Sequence, residues 1–144
     1  MNLSHRTLKL TIAYDGTDYH GWQVQPNAIT VQARIEEAVF KFSGESNHLN
    51  GSGRTDAGVH AWGQTASMAY NGKLSAARIQ AACNSLLPED ISIRQVKDEA
   101  QNFHARKSAI AKTYLYVIDN GSVANPFLRR YAWHIRQPLN LPAM

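Results

Sequence analysis

The chain has little cysteine, no long apolar run and no apolar segment behind its first residues, and each scarcity excludes something. The single thiol, Cys83, cannot close an internal disulfide or complete a cysteine-based zinc site. It falls at an apolar position of an expected helix, which predicts a buried, inert thiol rather than a nucleophile. No stretch approaches the length needed to cross a bilayer. The opening "MNLSHRTLKL" lacks an apolar core followed by a small-residue cleavage site, so a cytoplasmic protein is expected. His5, His20, His48, His60, His104 and His134 never fall in an H-x-E or H-E-x-x-H spacing. Neither a metal nor a cofactor is expected.

What is present points to a globular chain with an anionic partner. Its 144 residues suit one folding unit. Lys and Arg number 15 against 11 Asp and Glu, a net charge of +4, which favours nucleic acid without specifying it.

Leu8, Leu10, Ile12 and Tyr14 alternate as in a half-buried strand that stops at Asp15-Gly16. Val31, Ile35, Ala38, Val39 and Phe42 recur at helical spacing, with Thr30 placed to cap the start and Gly44 to end it. After the short segment "NHLNGSG" and a glycine-rich loop, "WGQTASMAY" reads as a strand closed by Asn71-Gly72. Ile79, Ala82, Cys83 and Leu86 give a second helix, started by Ser75 and broken before Pro88, and a strand over 91–96 follows. This order predicts an α+β fold, the split β-α-β of ferredoxin-like and RNA-recognition domains, with both helices on one face of an antiparallel sheet. A strand over 110–118 is expected to extend that sheet, and "YAWHI" (131–135) to add another. The tail "RQPLNLPAM" brings no closing element and reads as cut rather than finished.

The loop "GSGRTDAGVHAWGQ" (51–64) is not a phosphate cradle. A P-loop needs glycine where His48 stands and lysine where Arg54 stands. A dinucleotide fingerprint needs a third glycine where Asp56 stands, and an acid there repels a pyrophosphate. A Ser52-His60-Asp56 triad is too crowded on one loop to reach the required geometry. Glycines at 51, 53, 58 and 63 instead allow tight turns and close approach of a bulky ligand, with Arg54 and Asp56 the loop's only charges. The plain alternative is that both side chains hydrogen-bond their own turn.

"GRTDAGVHA" (53–61) resembles the active-site signature of the tRNA pseudouridine synthase A family. "YDGTDYHGWQVQ" (14–25), Val31-Gln32, "NSLLPEDI" (84–91), "FHARKSA" (103–109) and "KTYLY" (112–116) resemble that family's other blocks in the same order. The resemblance implies conversion of uridine to pseudouridine in the anticodon stem-loop of tRNA, at tRNA positions 38 to 40, without a cofactor. It implies that Asp56 is the catalytic residue, that Arg54 helps extrude the nucleotide and that Tyr114 packs against the target base. His104, Arg106 and Lys112 become secondary RNA contacts, and on the expected strand Tyr114 shares a face with Lys112 and Tyr116. Trp22, Trp62 and Trp133 are expected in the core or at an interface. Members of the family work as homodimers on tRNA.

Family members also resemble two copies of one ferredoxin-like lobe, and the chain covers the first. The second lobe's "H-x-M-V-R" block, whose arginine pairs with the catalytic aspartate, has no counterpart here. Thr113 and Leu115 stand where the family often has basic residues. An N-terminal fragment with little activity alone is therefore expected. A rival reading is a non-catalytic RNA-binding module of the same fold, and a third is a small-molecule-binding domain. Asp56 separates the first two, because a binder gains nothing from an acid beside a phosphate backbone.

Overall fold

The alternation of Leu8, Leu10, Ile12 and Tyr14 builds β1 (Arg6–Tyr14), in which all four side chains are buried on one face. In the computed structural model, which describes residues 5–144, β1 is the axis of a sheet with strand order β2-β3-β1-β4. The partners are β2 (Leu49–Gly51), β3 (Ala61–Tyr70) and β4 (Ile91–Glu99), and every neighbouring pair is antiparallel. With α1 (Val31–Ser43) and α2 (Ala76–Leu86) between the strands, this is the split β-α-β topology the sequence predicts.

Local chemistry sets the helix ends. Thr30 accepts a hydrogen bond from the Ala33 amide, and Gly44 leaves α1 in the left-handed region at φ 72°. Ser75 does for α2 what Thr30 does for α1, accepting from the Arg78 amide. Each such cap contributes about 1 kcal/mol. Val31, Ile35 and Val39 of α1 and Ile79 and Cys83 of α2 meet Leu8, Leu10, Ile12, Met68 and Ile93 in one core, so both helices lie on the same face.

The other face carries Thr7, Lys9 and Thr11 of β1, and the chain folds back over part of it after β4. The Thr7 hydroxyl donates to the Gln101 carbonyl at 3.3 Å, and the Ala105 amide donates to Ser67 Oγ at 3.0 Å. Lys9 Nζ lies 5.4 Å from the centre of the Phe103 ring. These ties seat the 103–108 turn on the helix-free face.

The chain divides into two compact units, Met1–Ile110 and Ala111–Met144. In the second, β5 (Ile118–Asp119) pairs in parallel with β6 (Trp133–His134), and Asp119 accepts from the Gly121 and Asn125 amides. Those two amides hold the Asp119 carboxyl below its ordinary range.

Two expectations fail here. No strand forms over 110–117; only Ile118 of the expected segment is paired, and its partner is β6 rather than the four-stranded sheet. Of "YAWHI", only Trp133 and His134 form strand. A strand forms only where its amides and carbonyls find a neighbour, and of 110–117 only the Val117 carbonyl does, accepting from the Trp133 amide at 2.8 Å. Tyr114, Leu115 and Tyr116 are accordingly exposed, with no strand face to share. Among the tryptophans, Trp22 is buried as expected, whereas Trp62 and Trp133 lie outside the core, 82% and 67% exposed.

Candidate active site

Three blocks far apart in sequence meet at one end of the sheet, where β1 and β2 end and β3 and β4 begin. The Asp15 amide donates to the Asp90 carbonyl at 2.9 Å, and the Tyr19 hydroxyl donates to Asp90 Oδ1 at 2.7 Å. The Gly58 amide donates to the Tyr19 carbonyl at 3.2 Å, and the Trp22 amide to the Thr55 carbonyl at 3.0 Å. The β1-α1 segment is thus wedged between the glycine-rich loop and the turn before β4.

Packing at this end requires glycine. A Cβ on Gly16 falls 2.0 Å from the Val59 carbonyl oxygen, and one on Gly51 falls 2.6 Å from Trp22 Nε1. Gly21, at φ 83°, brings its backbone against the Thr55 carbonyl. At Gly16 and Gly21 the obstacle to a side chain is backbone, and at Gly51 it is the buried Trp22 indole.

Side chains complete the fastening. Tyr14 Oη and Thr55 Oγ1 share a hydrogen bond of 2.8 Å. Ser52 Oγ donates to Gln64 Oε1 at 3.0 Å, while Gln64 Nε2 donates to the Gly53 carbonyl at 2.5 Å. His60 Nδ1 lies 3.0 Å from both the Gly16 amide and Asp15 Oδ1: it accepts from the amide when the ring's proton is on Nε2 and donates to the carboxylate when Nδ1 carries a proton. Burial pushes the Tyr14 phenol up, partly offset by the Thr55 hydrogen bond, so Tyr14 is neutral in the ordinary range.

Arg54 and Asp56 flank this anchored Thr55, and both are exposed. Among the described residues neither side chain has a hydrogen bond or ion pair; the Asp56 carbonyl, not its carboxylate, accepts from the Val59 amide at 3.1 Å. The loop therefore does not use these two charges to hold itself. A guanidinium and a carboxylate stand ready for something else.

His104 and Arg106 also belong to the first unit. His104 Nδ1 accepts from the Arg106 amide at 3.2 Å, so the imidazole braces the 103–108 turn and leaves the Arg106 side chain exposed. Tyr114 and Lys112 belong to the second unit and are exposed. Sequence reasoning missed Tyr14, Thr55 and His60 as fasteners of the loop. Their only signal was membership of the blocks quoted above. A groove of about 410 Å³ beside α1, lined by Tyr19, Arg34, Glu37, Lys41, Leu86 and Pro88 among others, includes neither Arg54 nor Asp56. The candidate site is an open loop surface, not that groove.

The chain is similar to known proteins along nearly its whole length. A protein from Thermoanaerobacter sp. (strain X514) named tRNA pseudouridine synthase A is 47% identical over 139 residues, covering 96% of this chain and 57% of the relative. One of the same name from Pelobacter propionicus is 45% identical over 139 residues with the same coverage. A third, tRNA pseudouridine synthase A 1 of Protochlamydia amoebophila, is 46% identical over 134 residues, 92% of this chain and 52% of the relative. The chain spans somewhat more than half the length of these curated relatives. A family model described as tRNA pseudouridine synthase matches residues 10–106, from β1 through the loop to the 103–108 turn, and the chain belongs to that family.

Proposed function

We propose that this chain is the catalytic lobe of a tRNA pseudouridine synthase acting on uridines of the anticodon arm, with Asp56 as the catalytic carboxylate. The observation that supports it most is an exposed, unpaired Asp56 on a loop whose neighbouring residue is anchored through both hydroxyl and carbonyl. A carboxylate held in place but not consumed by its own turn is available to a reacting sugar or base.

The reaction is an isomerisation. The N1–C1′ glycosidic bond breaks, the uracil turns over, C5 bonds to C1′, and the C5 proton is lost as N1 gains one. No oxidant, reductant or energy donor enters. Asp56 serves as nucleophile or as the anion that stabilises an electron-poor ribose. Uridine in a stem must first leave its stack, and the flat Arg54 guanidinium suits the vacated space and a neighbouring phosphate. Tyr114 is assigned to the base, and His104, Arg106 and Lys112 to the RNA, on the family resemblance.

Relatives are nearly twice as long as the stretch matched here, so we assign full activity to this lobe together with the length it leaves uncovered. Alone, with Asp56 solvated, the chain is expected to be nearly inactive. tRNA as partner and a homodimer as working state rest on the same resemblance, and the cytoplasm as compartment is an expectation from the sequence alone. The test is an unmodified tRNA transcript incubated with the chain, alone and with the uncovered part of a relative. Pseudouridines are mapped by chemical adduct and primer extension. Modification in the anticodon arm supports the reading, whereas absence of both modification and RNA binding in either sample overturns it.

A further inference from the structure

We propose that Trp62 is a stacking platform for an unstacked nucleobase, placed by a β-bulge on the helix-free face beside the Asp56 loop. The proposal rests on the tRNA-binding reading above and adds a contact to it.

Its basis is the register of β1 and β3. Ile12 pairs with Gln64 and Tyr14 with Ala61, so Ala13 alone faces both Trp62 and Gly63. Ile12 and Tyr14 point into the helix-side core, and the bulge therefore turns Trp62 and Gly63 to the opposite face. Bulges of this kind re-aim a side chain next to functional sites. Here the result is an indole 82% exposed, against the strong tendency of tryptophan to be buried. Gly63 beside it is exposed and leaves room along the strand.

The occupant follows from what shares that face. Lys97 is exposed there opposite Lys9, which itself pairs with Glu99 at 3.6 Å, and the 103–108 turn pinned to Ser67 carries exposed Arg106 and Lys107. An aromatic plane at one end and cations along the rest is how a protein grips a nucleic-acid backbone while stacking a splayed base. Trp62 is the second residue of β3, which follows directly on the loop that carries Arg54 and Asp56. The base it would stack is one that extrusion of a nearby nucleotide leaves unstacked.

The experiment measures affinity for an unmodified tRNA transcript by fluorescence anisotropy at several salt concentrations, with thermal melts to confirm folding. Trp62→Ala is expected to weaken binding about tenfold at every salt concentration, Trp62→Phe to retain most of the affinity, and Arg106→Ala to flatten the salt slope by about one. Trp62→Ala binding as tightly as the parent chain overturns the proposal. So do equal losses in the Phe and Ala variants, or a change confined to self-association in sedimentation, which assigns the indole to a protein contact. A parent chain without affinity for tRNA removes the functional reading as well, whereas a binding parent with an unaffected Trp62→Ala removes only the stacking platform.

Discussion

Tyr14 Oη and Thr55 Oγ1, forty-one positions apart in sequence, lie 2.8 Å from each other, and that bond ties the residue between Arg54 and Asp56 to the core. Tyr14 is buried, so removing either hydroxyl leaves the other short of a partner. Thr55→Val and Tyr14→Phe are each expected to cost about 1–3 kcal/mol in denaturant unfolding. The double variant should cost clearly less than their sum. Additive losses in the double-mutant cycle contradict the coupling.

Gly21 and Gly44 have similar left-handed backbones, φ 83° and 72°, but different surroundings. A Cβ at Gly21 falls 2.6 Å from the Thr55 carbonyl oxygen, while at Gly44 it meets nothing within 4 Å. Gly44→Ala should cost about 1–2 kcal/mol for backbone strain alone. Gly21→Ala should cost visibly more and speed hydrogen exchange at the Trp22 amide, which donates to Thr55. Equal costs contradict the close approach.

Cys83 has no exposed surface, and burial pushes its thiol up to about 12. A thiolate-directed reagent should leave the folded protein untouched near neutral pH and label it stoichiometrically in denaturant. Rapid labelling of the native state contradicts the packing of α2.

Burial and the Asp90 carboxylate push the Tyr19 phenol well above its ordinary value. In the unfolded chain a phenol ionises near pH 10, while the folded protein keeps the Tyr19 proton. The stability this contributes is present below about pH 10 and lost as pH rises beyond it, because the unfolded state then binds fewer protons. Tyr19→Phe should lower stability at neutral pH, losing the bond to Asp90, yet show a shallower decline between about pH 10 and 11. An unchanged alkaline slope contradicts this.

The elements legible in the sequence are those fixed by local chemistry. Thr30, Gly44 and Ser75 mark helix ends because caps are made within a turn. The glycine spacing and the two charges of the 51–64 loop marked it before its surroundings were known. Of the strand expected over 110–118 only Ile118 pairs, because a strand-like sequence records only what a strand needs on its faces, not whether its edges find a partner. The exposure of Trp62 was hidden because a bulge is a property of two strands in register. The ties of Tyr14 to Thr55 and of Gly58 to Tyr19 are likewise long-range, and no spacing along the chain announces them.

The central claim is that Asp56 does chemistry rather than hold RNA. Its most direct test compares the parent lobe and Asp56→Asn, each supplemented with the part of a relative it leaves uncovered, on an unmodified tRNA transcript. Pseudouridine formation and binding are followed together. Asp56→Asn is expected to lose modification by about 10⁴-fold or more. Its RNA affinity should be equal or tighter, since a charge that repels phosphate is gone. Modification that survives the substitution, or affinity that collapses with it, contradicts the account.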